Sequence, residues 1–466
     1  MHKIISFTSA IILILSFTSC SHKSAFMKQD KLQAQGKYIK ATANAKEQID
    51  YEDKTARDNL LWYLYLGQSQ FFENNESASI ASFNEAENLM KTYREQIIAK
   101  NISIDIGSIL SNDNTRPYIG NTYDGIMLNT YKALSYLHKK DYSGARVEFN
   151  RAVDRQRRAK EFFSQSIAKE KEDLAKNDKD KVDTSKTNDE TIHKQLNKTI
   201  NTYYPELNSY KVYPDFINPM TNYLAGLFAM ANRDEAKAKY LLKETMAMLP
   251  NNTVVQEDYE SLKDGIEDKA SVWVIYEEGL APVLDEMRID FPAWIFTSQV
   301  DYVSIALPKM KQRAGSFSHL DIREKDHLIT QTQLLSSMQR VMHTEFKKHY
   351  PQIMRRAALS AISKAALQNI SKNSNNNLVN FVATVYSVLS TQADTRMWTS
   401  LPKHFHIARF DKKDRKSIDI YSSLNESYNY KIASVELIDT KHTLIYVKIP
   451  TLAHKVNISI FSLGEQ

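Results

Sequence analysis

Asp141-Tyr142-Ser143-Gly144-Ala145-Arg146-Val147-Glu148-Phe149 is the stretch whose reading decides the fold. Asp141 can accept backbone N–H groups in a turn, and Gly144 lowers the cost of reversing the chain. Ala145, Phe149 and Ala152 then form a stripe at helical spacing, and upstream Ala133 and Tyr136 close an earlier helical pattern. Small residues let two antiparallel helices touch, and large ones fill the space between them. Residues 121–157 therefore read as a helical hairpin.

The same arrangement of small and large residues recurs on both sides. In 59–93 Gly67 takes the small position of the first helix, and Ser79, Phe83 and Ala86 take the small, large and small positions of the second. In 218–251 Ala225-Gly226 supplies the small pair, Ala236 and Tyr240 the second-helix contacts, and Leu249-Pro250-Asn251-Asn252 a helix stop. Its turn, Asn232-Arg233-Asp234, is one residue short of the usual spacing. These units resemble tetratricopeptide (TPR) repeats. Each leaves an apolar face that only a neighbour can cover, so about three are needed for a stable stack. The expected class is mainly α: a TPR-like helical repeat domain over 36–268, then a smaller α+β domain over 269–466. The charged run near 168–198, with Lys169-Glu170-Lys171-Glu172-Asp173, is poor in apolar residues and reads as a solvated insertion.

From Ser271 the pattern changes. Val272-Trp273-Val274-Ile275-Tyr276 is a β-branched and aromatic run of strand length, and Met287–Phe291 alternates apolar with charged. Tyr302–Leu307, stopped by Pro308, and Ala433–Ile438, Thr443–Ile449 and Val456–Phe461 complete a short, largely antiparallel sheet. A helical insertion is expected near 323–392. Its core is an Ala-rich helix from Ile353 to Ile370 with Pro351 in its first turn, packed on a second helix from Leu378 to Leu389.

The amino terminus is not part of this fold. Met1-His2-Lys3, an apolar run from Ile4 to Phe17 and Thr18-Ser19-Cys20 describe a secretory signal over 1–19. The apolar run is about 14 residues, short of the roughly 20 needed to span a bilayer. Cys20 is the only cysteine of 466 residues, so the mature chain has no disulfide. Phe17-Thr18-Ser19-Cys20 resembles the lipobox of bacterial lipoproteins, in which the cysteine is acylated and becomes the first residue. That resemblance implies a lipidated tether over 20–35, and Ser21 rather than Asp implies the outer membrane.

Composition excludes more than it identifies. Net charge is +6, or +5 without Lys3, with Lys and Asp/Glu interspersed, which argues against nucleic acid. No Gly-x-Ser-x-Gly, phosphate-binding loop or His-Glu-x-x-His motif is present, and a lone lipidated cysteine leaves no thiol nucleophile. His404-Phe405-His406 would put two imidazoles on one strand face without an evident third ligand, so no metal or cofactor is assigned. Ala393-Asp394-Thr395-Arg396-Met397-Trp398-Thr399-Ser400-Leu401-Pro402 has two readings. Asp394, Arg396 and Trp398 form either a structural corner or a ligand-facing surface.

The order of these elements, from lipobox through Gly144–Phe149 to Ala306-Leu307-Pro308 and Asp394-Thr395-Arg396-x-Trp398-x-x-Leu401-Pro402, resembles an uncharacterised family of TPR-bearing envelope lipoproteins of Gram-negative bacteria. The resemblance implies a cell-envelope context and carries no catalytic residue. The function expected is a non-enzymatic, membrane-anchored scaffold that binds other envelope or periplasmic proteins, in peptidoglycan synthesis or envelope assembly. Repeat grooves are lined by first helices, which makes Leu64, Gln68, Phe71, Thr130 and Leu134 the candidate binding residues, with Phe71 the natural hot spot. The alternative is a protein that binds or acts on cell-wall glycan, peptidoglycan, through a pocket near Asp394–Trp398.

Overall fold

Three short turns organise the helical half, and all three are the same turn. The computed structural model describes residues 23–99, 116–181, 189–213, 217–262, 269–295, 302–372, 392–425, 428–453 and 456–464. About half of it is helix and about a quarter strand. The leader, Cys20 and the helix expected over 378–389 lie outside the described residues. The helices in order are α1 (23–34), α2 (Tyr38–Gln48), α3 (Asn59–Phe72), α4 (Glu76–Ala99), α5 (Thr122–His138), α6 (Tyr142–Lys181), α7 (Asp189–Tyr203), α8 (Glu206–Ser209), α9 (Pro219–Ala231), α10 (Glu235–Met248), α11 (Thr253–Glu260) and α12 (Met338–Lys372). None is long and apolar enough to cross a membrane among the described residues.

The pairs α3–α4, α5–α6 and α9–α10 are joined through Asn74, Lys140 and Arg233, which hold φ of 56°, 59° and 58°. The next residue closes each turn, Asn75 N–H donating to Gln70 O (2.9 Å), Asp141 to Tyr136 O (2.9 Å) and Asp234 to Ala229 O (2.8 Å). Its side chain then caps the following helix, accepting from Ala78, Gly144 and Lys237 N–H at 3.3, 2.8 and 3.4 Å. The third turn thus has the length of the other two and is not one residue short. This shared turn fixes a common register. Gly67, Ala133 and Gly226 correspond, as do Ser79, Ala145 and Ala238; Phe83, Phe149 and Leu242; and Ala86, Ala152 and Thr245, all of them buried. The third hairpin therefore packs through Ala238 and Leu242. Ala236 and Tyr240, expected in that place, are exposed. Glycine is required where helices close on large rings: a Cβ on Gly67 would stand 2.7 Å from the Phe83 ring, and one on Gly144 2.5 Å from Tyr136.

Two segments expected to be irregular are ordered helix. In place of a tether, α1 lies on α3, with Phe26 stacked on Trp62 (4.3 Å) and Gln29 and Gln33 fully buried. Phe26, Gln29 and Gln33 share one face at helical spacing, which the polar character of the segment conceals. The charged run from 168 continues α6 to Lys181, and α7 resumes at Asp189. Lys, Glu, Ala and Leu are strong helix formers, which accounts for helix in so polar a run.

Eleven strands follow among the described residues, in three sheets: β1 (Ser271–Glu278), β2 (Val283–Pro292), β3 (Tyr302–Lys311), β4 (His319–Glu324), β5 (His327–Gln331), β6 (Gln333–Ser337), β7 (His404–Asp411), β8 (Ser417–Asn425), β9 (Tyr428–Glu436), β10 (His442–Ile449) and β11 (Asn457–Ser462). The orders are β11-β10-β1-β7-β6, β2-β3 and β5-β4-β8-β9. All pairs are antiparallel except β1–β10. β1 is buried on both faces, which is why it reads as an unbroken apolar run. Trp273 and Ile275 face the helices, while Val272, Val274 and Tyr276 face the four-stranded sheet. The molecule is layered as helices, five-stranded sheet, four-stranded sheet.

Several boundaries move. The helical insertion starts at Met338, since β5 and β6 occupy 327–337. Pro308 does not stop β3, because the β2–β3 ribbon has free edges that need no proline N–H. Pro351 lies inside α12 rather than in its first turn. The buried stripe Met338, Val341, Met342, Phe346, Tyr350 supports the helix ahead of it.

Candidate functional site at the helix–sheet seam

The concave side of the helical array, where a partner groove was expected, is filled by the protein's own β-structure. Leu64, Gln68, Phe71, Thr130 and Leu134 are at most 1% exposed. Phe71 packs edge-on against Tyr446 (5.9 Å) and stacks near Phe461 (6.5 Å), both from the sheet. Thr130 donates to Ile126 O (2.9 Å) and meets Thr221 Oγ1 at 3.0 Å. Leu64 and Leu134 belong to the core shared by helices and sheet. These residues face the protein's own core, and none is open to another molecule.

At the centre of this seam sits a buried ion pair. The parallel register of β1 and β10 sets Glu277 opposite Lys448. Strand alternation turns both toward the helices, with Trp273, Ile275, Leu444 and Tyr446. Lys448 Nζ donates to Glu277 Oε2 at 2.6 Å and lies 4.4 Å from the centre of the Phe72 ring. Tyr131 donates to Glu277 Oε1 (2.7 Å), and so does Tyr446. Burial pushes the Lys448 ammonium pKa down against the pull of Glu277, and burial with the Glu277 charge holds both phenols far above their ordinary value. The phenols are therefore fixed neutral donors. Desolvating two charges costs several kcal/mol each, and only such a full set of partners makes the pair tolerable. Closed on every side, the arrangement holds layers together and offers no room for a substrate.

The segment from Ala393 to Leu401 inserts between α3 and the sheet. Arg396 forks onto Asp394 (Nε–Oδ1 2.9 Å, Nη2–Oδ2 2.6 Å) and donates to Asp58 Oδ1 (2.8 Å) and Arg116 O (2.9 Å). Trp398 Nε1 donates to Gln68 Oε1 at 3.2 Å, and Gln68 Nε2 returns bonds to Tyr131 Oη (3.0 Å) and Ser400 O (3.2 Å). Tyr65 donates to Met397 O (2.9 Å) and accepts from Thr399 N–H (3.1 Å). Arg313 clamps the far side, donating to Asp30 Oδ1 (2.8 Å), Ala281 O and Thr399 O. Asp394, Arg396 and Trp398 are thus brought together as a latch on α3. The pocket expected beside them is absent among the described residues, because Trp398 is fully buried and the Arg396 side chain is 8% exposed.

Sequence reasoning missed Glu277, Lys448, Tyr131, Tyr446 and Arg313. A signal was available: two otherwise apolar strands end in opposite charges, Glu277-Glu278 closing Val272–Glu278 and Lys448 near the end of Thr443–Ile449, in a chain that buries both strands.

Other titratable groups are engaged within the fold, among them Lys132, which lies between Glu87 (2.8 Å) and Glu148 (3.1 Å). Asp258 takes Trp273 Nε1 (3.2 Å) and Arg409 (3.1 Å), and burial raises its pKa to about 6. Glu345 accepts the Thr122 N–H at the start of α5 (2.9 Å), and burial raises it to about 7. On β7 His406 is buried and His404 half-buried, and desolvation lowers them to about 3 and 4. Among the described residues no three metal-ligating side chains converge. A surface cavity of about 330 Å³ lies at the rim of the two sheets, lined by Glu324, His327, Leu328, Phe410, Lys413 and Arg415. Arg415 is engaged there by Glu324 (3.1 Å). No family model matches this chain, and no curated protein or solved structure is detectably similar to it.

Proposed function

We propose that this chain is a lipid-anchored, non-enzymatic scaffold of the bacterial cell envelope, held through Cys20 and facing the periplasm. Its three hairpins are TPR-like units turned inward: they clamp a β-sandwich, and the sandwich is what other envelope proteins meet. The observation that carries this reading is the filling of the concave helical face by β10, β11 and the 393–401 latch, which leaves the helices no groove to offer. What stays open is the outer sheet. Its last strand, β9, pairs only with β8 among the described residues, and Tyr430 on it is 50% exposed. An unpaired strand edge is a template for an extended segment of another protein.

The test is photo-crosslinking in the native envelope from a reactive residue placed at Tyr430 on β9 or, as control, at Tyr240 on the outer face of α10. Discrete adducts from position 430 and none from 240 are expected. Adducts from 240 alone would return partner binding to the helices and overturn the reading.

A further inference from the structure

One end of the molecule carries several exposed aromatic and aliphatic residues around the point where the chain enters. Two contacts, Phe26 on Trp62 and Gln33 Nε2 on Ser69 Oγ (2.6 Å), set α1 parallel to α3, so α1 starts at the Asn59 end. Asp50 N–H donates to Asn59 Oδ1 (2.9 Å) and Tyr118 N–H to Arg57 O (2.7 Å), which bring 50–53 and 116–120 to that end. α12 runs outward past it: Met338 lies at Asn218, Glu345 at the start of α5, and the helix continues to Lys372. At 1.5 Å per residue that is about 40 Å more. β3 follows α12, with Gln312 beside His343 (3.3 Å) and Met310 N–H on Tyr204 Oη (2.9 Å), whose ring packs on Tyr350 (5.3 Å). The tip of the β2–β3 ribbon thus projects about 25 Å beyond Met310, at roughly 3.3 Å per residue. Exposed at this end are Met27, Tyr51, Ile119, Trp294 and Tyr302, the last two at the ribbon tip and 52% and 63% exposed.

Only Ser21 and His22 separate Cys20 from α1, a reach of about 11 Å at full extension. We propose that this end is a membrane-contact face, and that with Cys20 acylated Trp294 and Tyr302 seat in the headgroup layer of the bilayer. The inference rests on the lipid-anchor reading. Trp and Tyr favour that layer because an apolar ring and a polar edge are both satisfied there. Lys23, Lys28, Lys54 and Arg57 are interspersed with Glu47, Asp50, Glu52 and Asp53, so the contact is apolar rather than polybasic and does not require anionic lipid.

The chain supplies its own probe. Of four tryptophans, Trp62, Trp273 and Trp398 are at most 1% exposed, leaving Trp294 as the one a quencher can reach. Residues 20–466, made without the leader, carry a single thiol at Cys20 that couples to maleimide lipid in vesicles of neutral phosphatidylcholine. With brominated phosphatidylcholine we expect loss of most of the Trp294 share of emission relative to unbrominated vesicles, and Trp294→Phe to abolish the difference. Equal emission from both vesicles in coupled protein would overturn the contact face, as would a Trp294 shielded only when envelope proteins are added. The anchor itself is read separately, by palmitate-analogue labelling of the full chain in cells against Cys20→Ala. Unlabelled wild-type chain would overturn the anchor without touching the vesicle result.

Discussion

Lys448 has no route to water, and everything it needs is supplied by the fold. Removing it by Lys448→Met leaves Glu277 charged and buried with only phenols for partners, which should cost about 3–5 kcal/mol in urea unfolding. Adding Glu277→Gln should recover part of that loss, since a neutral amide still accepts from Tyr131 and Tyr446. Full additivity of the two substitutions would mean that the pair is not coupled. The buried groups with shifted pKa values set the pH response. Buried Asp124, Asp258 and Glu345 have folded pKa values raised to about 6, 6 and 7, so they favour folding when protonated and that contribution is lost as pH rises through 6 to 7. His343, His404, His406 and His442 are lowered by burial to about 4, 4, 3 and 4, so they act oppositely and weaken the fold as pH falls below about 6.5. The four histidines outweigh the three carboxyls, so stability should rise from pH 4 to about 6.5 and level off above pH 7. Between pH 6.5 and 8 Glu345 should account for a loss of about 1 kcal/mol. The histidines gain stability over the same interval, so the melting temperature of Glu345→Gln should rise more steeply with pH than that of wild type, and an unchanged slope would remove Glu345 as a contributor.

Among the elements, α3 bears the most: it receives α1, α4, the latch and the sheet. Leu64→Ala with Phe71→Ala on this helix should lower stability by about 5 kcal/mol or more, cavities of this kind costing 2–5 kcal/mol each. An intact melt with selective loss of partner binding would instead restore the open groove. The helical hairpins were legible because each carries a small residue facing a large one at fixed spacing, as Gly67 does Phe83. The central strands were legible because β1 and β10 are buried on both faces and read as apolar runs. β4 and β5 were not, because their reversal uses Lys325 at φ 55° rather than a glycine that would have marked it. α1 was hidden by burying glutamines instead of leucines. Least legible was the destination of each face. Helical periodicity shows that Phe71 points inward on α3, but the Tyr446 and Phe461 rings that cover it lie nearly four hundred residues along the chain.

For the whole molecule, the boundary drawn at 268/269 separates two textures and not two folding units. One core runs from Tyr38 to Leu463 across it. Residues 36–268 alone would present Phe71, Tyr131, Leu134 and their neighbours to solvent as a large apolar patch, a hallmark of association. That fragment should be recovered as aggregate or molten helix, while residues 21–466 give a monodisperse, cooperatively melting protein. A soluble, sharply melting 36–268 fragment would show that the helical array stands by itself.

The position of β1 in the middle of its sheet bears on how the protein is made. β1 must await β7 at 404–411 and β10 at 442–449, and β11, which covers Phe71, ends at Ser462 of 466 residues. Contacts of such long sequence separation form late and slowly. Throughout synthesis the helical array therefore holds an uncovered apolar face until β10 and β11 arrive to cover it. That makes the nascent chain a client for holding chaperones and makes a late stop codon as damaging as an early one.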